Sequence, residues 1–171
     1  MAVEPQVFIC YGKPDKAVAH QLAAEFWRNR IECYNYMSKP VEDRIGSEEV
    51  DHRAYIYTAQ LFIAIISDES IPRFLVTEEL AIAHQIATAL NNRLYRVYIS
   101  LLDRKADIRF PKPDVLVHWH PDSAVSIAAE LLQRMGPEFL ERNHKAWEIN
   151  KNLYAGQWKE LDELYSHGQS A

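Results

Sequence analysis

Short apolar runs alternate along the chain with longer segments in which apolar residues recur every three or four positions. Five of the runs have the length and composition of β-strands, at residues 6–11, 31–36, 60–67, 95–101 and 114–119. The run at 60–67 (QLFIAIIS) is almost continuously apolar, which is typical of a strand buried on both faces of a parallel sheet. Strands that alternate with helices predict an α/β domain with a parallel sheet and right-handed crossover connections.

The segments between the strands have the apolar spacing of amphipathic helices. Helices are predicted at residues 15–30, 47–57 and 123–135, and from the stretch after residue 67 to about residue 90. The pair Gly136 and Pro137 forms a natural boundary. Residues 139–165 beyond it are charged, aromatic and predicted to be helical. We therefore predict an α/β domain at residues 1–136 and a C-terminal helical extension at residues 137–171.

The extension carries too many large apolar side chains for a segment that is solvated on all sides. Several of them recur at helical spacing, namely Leu140, Trp147, Tyr154, Trp158, Leu161 and Tyr165. Two arrangements would bury them: the helices fold back on the core of the same chain, or they dock on another copy. A break between two helices is predicted within residues 152–157, which include Gly156.

Two adjacent glutamates, Glu78 and Glu79, lie near the start of the third predicted helix. On a helical wheel of about 100° per residue, Glu79 lies in the middle of the apolar stripe and Glu78 at its edge. A buried carboxylate costs free energy unless it is paired or borders a cleft. Because the helix follows a buried strand, Glu79 should lie near the carboxyl ends of the strands, where ligands bind in open α/β sheets. A purely structural glutamate, bound to a backbone N–H or to Arg73, is the alternative.

Length and charge exclude several classes of protein. The 171 residues suffice for one domain with an appendage, and 48% of them are hydrophobic, as in ordinary globular proteins. The net charge of −5 argues against a nucleic-acid surface and gives no reason to expect binding to anionic lipid. The longest apolar run, at residues 61–66, is too short to span a bilayer, and the N-terminus lacks the pattern of a secretory signal.

Other reactive side chains have ordinary structural explanations. The cysteines, Cys10 and Cys33, lie in strand-like runs, so we predict buried, reduced thiols that are dispensable for activity. His118 and His120 alternate around a tryptophan, but a metal site usually needs a third ligand, and we predict none. Ser67 lacks a readable His–Asp arrangement, so hydrogen bonding at a strand end is favoured over a nucleophilic role.

Segments of the chain, taken in order, resemble the TIR (Toll/interleukin-1 receptor) domain family. Residues 7–11 (VFICY) resemble its first-strand box, commonly V-F-I-S-Y, and residues 44–46 (RIG) resemble the glycine that closes its BB loop. Residues 65–67 (IIS) resemble the family's strand that ends in serine. After a variable loop, residues 75–80 (LVTEEL) resemble the start of its next helix, which has the form Trp-x-x-x-Glu-Leu/Ile. Residues 117–120 (VHWH) are similar to its fifth strand, which often carries tryptophan.

The resemblance covers residues 6 to about 135 and implies a flavodoxin-like fold. Five parallel strands in the order 2-1-3-4-5, with helices on both faces, are expected of the family. Its enzymatic members cleave NAD⁺ between nicotinamide and ribose, and Glu79 matches their catalytic glutamate. The resemblance implies substrate-binding roles for Phe8, Tyr11, Gly12, Lys13, Arg44, Gly46, Ser67 and Leu75. NAD⁺ would be the substrate, with no further cofactor.

The chain departs from the family pattern in two places. Leu75 stands where tryptophan is common, and Lys13 is the one basic residue after the first strand, where some enzymes have more. Two classes of function therefore remain open: an NAD⁺-consuming enzyme, and a non-catalytic module that assembles through TIR–TIR contacts. A nucleoside deoxyribosyltransferase-like enzyme is a weaker third alternative.

The chain resembles stand-alone prokaryotic TIR proteins more than animal receptors. This resemblance implies a cytoplasmic protein of antiviral defence that forms homo-oligomers. It also implies that the product, ADP-ribose or a cyclic ADP-ribose, signals to a downstream effector.

Overall fold

A five-stranded parallel sheet forms the centre of the molecule. The computed structural model describes residues 5–34, 52–70, 74–89, 93–102 and 111–167. The strands are β1 (Val7–Cys10), β2 (Cys33–Tyr34), β3 (Leu61–Ile66), β4 (Tyr95–Ser100) and β5 (Val115–His118). They lie in the order β2-β1-β3-β4-β5, and every neighbouring pair is parallel. The predicted α/β fold and its strand order are confirmed.

Helices cover both faces of this sheet, as predicted. They are α1 (Lys16–Arg28), α2 (His52–Thr58), α3 (Phe74–Ala89), α4 (Ala124–Leu153) and α5 (Ala155–His167). Apolar side chains of α1, α4 and α5 form one cluster with one face of the sheet, and those of α2 and α3 form a second cluster with the other. None of the described helices combines the length and the apolar character needed to cross a membrane.

Burial differs between the central strands and the edge of the sheet. Every residue of β1 and β3 is buried, because helices pack on both faces of these strands. Residues of β5 instead alternate between half-buried and exposed, since this strand lies at the edge of the sheet. The continuous apolar run predicted to be an interior strand is therefore β3.

The C-terminal helices are bent at one residue and broken at another. Gly136 lies inside α4 with φ 86° and ψ 174°, a conformation that glycine adopts far more readily than other residues, and Pro137 follows it. The helix predicted at residues 123–135 therefore ends at a kink rather than at a loop. The second break is at Tyr154, between α4 and α5, and Gly156 lies within α5. The division of the chain into a domain and an extension at residue 136 stays a prediction.

The C-terminal helices fold back on α1 of the same chain. The ring of Trp27 lies 4.1 Å from that of Trp147, 5.0 Å from that of Trp158 and 5.4 Å from that of Tyr165, measured between ring centroids. Its indole Nε1 donates a hydrogen bond of 2.6 Å to Asp162 Oδ1. Because all four rings are buried, intramolecular docking accounts for most of the large apolar residues of the extension.

Polar contacts between distant residues support the same docking. Asn150 Nδ2 donates to Glu32 Oε1 at 3.3 Å, and both residues are buried. His144 Nε2 lies 3.0 Å from the carbonyl oxygen of Asn29, which follows α1. Such directional contacts fix how far α4 is displaced along α1, which apolar packing alone specifies less strictly.

His20 of α1 predicts a pH dependence of this packing. Its ring is 7% exposed and lies 5.5 Å from that of Tyr165, and its Nε2 has no hydrogen-bond partner among the described residues. Burial, followed by the charges of Lys16 and Arg28, lowers the pKa of His20 below its ordinary value.

The lowered pKa should make the folded chain less stable in acid. In the unfolded chain, His20 takes up a proton at the ordinary histidine pKa of about 6.5. In the folded chain it does so only at a lower pH. The free energy of unfolding should therefore fall as the pH drops below about 6.5. We expect His20→Phe to remove this part of the pH dependence. Urea unfolding of both proteins at about pH 7.5 and about pH 5 measures it. An equal loss of stability in both proteins would contradict the prediction.

Candidate functional site

The carboxyl ends of β1 and β3 form the topological switch point of the sheet. These strands are adjacent and in register, with Cys10 opposite Ala64. The chain leaves β1 toward β2 on one side and leaves β3 toward β4 on the other. The two connections therefore diverge at this edge, and this is the position at which ligands bind in open α/β sheets.

Glu79 of α3 is buried, as the helical wheel predicted. Its side chain is 3% exposed, whereas Glu78 is half-buried. The buried neighbours Leu80, Ala83 and Ala87 hold the same helix against the sheet. A carboxylate is thus kept largely from water near the carboxyl ends of the strands.

Two neutral side chains at the end of β1 lie beside this carboxylate. The thiol of Cys10 forms a hydrogen bond with Glu79, and burial, followed by the Glu79 charge and this bond, raises the pKa of the thiol well above its ordinary value. Burial and then the same charge raise the pKa of Tyr11 to about 12. Cys10 and Tyr11 therefore stay protonated at neutral pH, so that each can donate a hydrogen bond but neither carries a charge.

A second buried carboxylate joins the connections that follow β1 and β3. Ser67 Oγ donates a hydrogen bond of 2.7 Å to Asp15 Oδ2, and both residues are buried. Ser67 N–H donates to Ser70 Oγ at 2.8 Å, and Ser70 N–H donates to Ser67 Oγ at 3.1 Å. The Ser67 hydroxyl is therefore used in hydrogen bonds at a strand end, in agreement with the role favoured over that of a nucleophile.

The other residues predicted to bind substrate lie at different depths. Phe8 is fully buried, with its ring stacked 4.9 Å from that of Tyr34. Gly12 is also buried, and its carbonyl oxygen accepts the Asp15 N–H at 2.9 Å. Lys13 lies in the short 3₁₀ turn that leads into α1, and its side chain is exposed.

Three of the predicted positions are not described at the level of side chains. Arg44 and Gly46 lie outside the described residues. The backbone of Leu75 is part of α3, but the side chain of Leu75 is not among those that the structure describes. The structure thus brings Tyr11, Ser67 and Glu79 to one edge of the sheet. The substrate contacts of Arg44, Gly46 and Leu75 stay predictions.

Asp15 and Cys10 are the residues of this site whose contacts sequence reasoning missed. Asp15 directly precedes α1, where an aspartate usually indicates a helix N-cap. It does occupy the N-cap position, but it makes no capping hydrogen bond through its side chain and pairs with Ser67 instead. Cys10 carries no local signal, because an apolar strand gives no indication of a contact with a helix far along the chain.

The hydrogen bond between Ser67 and Asp15 predicts a coupled loss of stability. We expect Ser67→Ala and Asp15→Ala each to lower the free energy of unfolding by about 1–3 kcal/mol. Either change removes this hydrogen bond from a partner atom that is still buried. The double variant should lose less than the sum of the two. Urea unfolding measures the three values, with Glu69→Gln, an exposed carboxylate nearby, as a control. Additive losses would show that the two side chains act independently.

The described part of the chain contains no cluster of the side chains that usually bind metal ions. Within residues 5–34, 52–70, 74–89, 93–102 and 111–167, no group of three or more His, Cys, Asp or Glu residues is placed to hold a metal ion. His118 and His120 both have exposed side chains. His118 ends β5, a strand at the edge of the sheet.

Comparisons with known proteins assign neither a family nor a function to the chain. A scan of the sequence against protein-family models gave no match, and a search of curated proteins gave none either. The function must therefore be argued from the fold and from the residues at the switch point. These residues offer one buried carboxylate beside two neutral donors, and a second carboxylate held by a serine.

Proposed function

We propose that this protein cleaves NAD⁺ at the bond between nicotinamide and ribose, with Glu79 as the catalytic carboxylate. The observation that carries this proposal is the inward position of Glu79 at the switch point, with 3% of its side chain exposed. A scaffold protein has no need of a desolvated carboxylate there, since an apolar residue would stabilise the helix more. The TIR-like segments around it support the same reaction.

The chemistry requires one carboxylate and no general acid. As the C1′–N bond breaks, its electron pair moves to the pyridinium nitrogen, and nicotinamide leaves as a neutral molecule. The ribose develops oxocarbenium character in the transition state, as in glycoside hydrolysis. A carboxylate close to the ribose stabilises that positive charge and accepts hydrogen bonds from the ribose hydroxyls. Water completes hydrolysis by bonding to C1′ and losing a proton, whereas a nucleophilic atom of the adenine completes cyclisation.

The surroundings of Glu79 suit this task. Cys10 and Tyr11 stay protonated at neutral pH, so neither adds a charge beside the carboxylate. In the proposed complex, exposed Lys13 faces the phosphates, while Gly12 and Ser67 lie at the edge that the ribose approaches. Arg44 and Gly46, which follow β2 in the sequence, would also bind the substrate, and Leu75 lies near the start of α3.

The biological setting follows from the same resemblance. We propose that the active form is a homo-oligomer in the cytoplasm and that it acts in antiviral defence signalling. The product, ADP-ribose or a cyclic form of it, would then be detected by a separate effector.

Incubation with NAD⁺ tests the reaction. We expect free nicotinamide to accumulate, as measured by chromatography, and mass spectrometry of the second product distinguishes ADP-ribose from its cyclised form by one molecule of water. Exchange of bases on deoxynucleosides, without nicotinamide release, would indicate the deoxyribosyltransferase-like alternative. Unchanged NAD⁺ with concentrated, assembled protein would reject the enzyme and favour the TIR–TIR module, for which the absence of tryptophan at Leu75 is the one indication.

A further inference from the structure

Cys10 contacts Glu79, and neither the sequence pattern nor the proposed reaction gives this residue a role. It ends β1 and is fully buried. Its side chain lies on the same face of the sheet as Phe8, in the apolar cluster that includes Leu80 and Ala83 of α3. The thiol therefore lies between a buried strand inside the sheet and the helix that carries Glu79.

The second cysteine provides a comparison within the same chain. Cys33 lies opposite Val7 on the neighbouring strand, is also buried and forms no disulfide. Burial, followed by the charge of Glu32, raises the pKa of its thiol. Glu79 contributes to the raised pKa of Cys10 but not to that of Cys33. The two thiols are therefore alike in burial and differ in the contact with Glu79.

We propose that Cys10 is a positioning residue for the proposed NAD⁺ cleavage, whose S–H group holds the Glu79 carboxylate in its productive orientation. This inference rests on the proposed function of Glu79. Glutamate has three rotatable side-chain bonds, and restricting them before the substrate binds removes an entropic cost from the reaction. A donor fixed on a central strand provides that restriction.

A thiol is chemically suited to this role. Its single proton can be donated to only one of the two carboxylate oxygens. Because the thiol is a weak donor, it draws little charge from the carboxylate, which must stabilise a developing cation. Cys10 also stays protonated at neutral pH, since burial and the neighbouring carboxylate disfavour its thiolate. It therefore orients the carboxylate without competing as a nucleophile.

Kinetic comparison of three variants tests the role in catalysis. We expect Cys10→Ala to lower kcat about tenfold, the loss typical of one hydrogen bond to a charged acceptor, with little change in KM. Cys10→Ser should retain most of kcat, because a hydroxyl supplies the same donor. The matched control, Cys33→Ala, should keep both constants although it too removes a buried thiol. The dispensability expected of both cysteines from the sequence is thus retained for Cys33 only.

Infrared spectroscopy tests the contact independently of any activity. The S–H stretch of a cysteine lies apart from other protein bands and moves to lower frequency when the thiol donates a hydrogen bond. Comparison with Cys10→Ser assigns the Cys10 band, and the Cys33 band serves as an internal reference. In Glu79→Gln, whose amide oxygen is a weaker acceptor, we expect the Cys10 band to move to higher frequency while the Cys33 band stays in place.

The outcomes separate this inference from the proposed function. A Cys10 band that does not respond to Glu79→Gln would overturn the inference, even in an active enzyme. Equal kcat values for Cys10→Ala and Cys33→Ala would also overturn it, as would a loss in Cys10→Ser as large as that in Cys10→Ala. If the unaltered protein releases no nicotinamide while the band does respond, the proposed function fails and the contact stands without a catalytic role.

Discussion

Replacing Glu79 by glutamine is expected to reduce nicotinamide release by a factor on the order of 1,000, the scale of losing one strong electrostatic contact to a transition state. Glutamine has almost the same size and can still accept a hydrogen bond from Cys10, but it carries no charge to stabilise the ribose cation. The fold should therefore persist while turnover is lost. Single-turnover assays with NAD⁺, together with thermal unfolding, measure the two effects separately.

Glu78→Gln is the matched control for this experiment. It makes the same chemical change one residue earlier in α3, at a side chain that is half-buried rather than buried. We expect activity close to that of the unaltered protein. A comparable loss in both variants would show that orientation toward the sheet does not distinguish the two glutamates. Full activity in Glu79→Gln would remove this residue from the reaction.

Removing residues 137–171 is expected to destabilise the protein severely. The truncation uncovers Trp27 and takes away the buried rings of Trp147, Trp158 and Tyr165. Deletion of a single buried aromatic ring typically costs about 3–5 kcal/mol, and a whole domain is stable by only about 5–15 kcal/mol. We therefore expect the truncated chain to unfold or aggregate, as measured by circular dichroism and by the soluble fraction. A truncated chain that stays folded and active would contradict this view of the extension.

A pair of leucines in the full-length chain tests the same packing without a truncation. Leu161 of α5 is 3% exposed, whereas Leu153 at the end of α4 is 50% exposed. Leu161→Ala should lower the free energy of unfolding by about 2–5 kcal/mol, and Leu153→Ala by less than about 0.5 kcal/mol. Similar losses at both positions would show that contacts other than those within one chain bury these helices.

Sedimentation of the full-length chain distinguishes the two functions predicted for the extension. If its helices only cover α1 of the same chain, removing them should change stability and not the number of copies that associate. If they also join copies, the full-length protein should be an oligomer whose assembly is lost when Ile149 and Leu153, both exposed on α4, are replaced by charged residues.

The alternation of strands and helices was readable from the sequence because it depends on local periodicity. The run at residues 60–67 was recognised as an interior strand since nearly every position in it is apolar, and β3 is fully buried as predicted. The direction of Glu79 followed from the geometry of one helix, which needs no knowledge of what lies opposite. The strand order was expected from the TIR resemblance rather than from any pattern of spacing, and the structure confirms it.

The partners of the polar side chains were decided by the tertiary structure. Ser67 and Asp15 are 52 positions apart, and Trp27 and Asp162 are 135 apart, so no local pattern relates them. A helical wheel gives the direction of Glu79 but not the residue it meets, which depends on how α3 lies across β1. A hydrogen bond fixes the distance between donor and acceptor at about 3 Å, to within a few tenths of an ångström. Burial, in contrast, tolerates many arrangements of similar shape. For that reason the sequence by itself determined that Glu79 faces inward, and only the packing of distant elements determined that it meets Cys10.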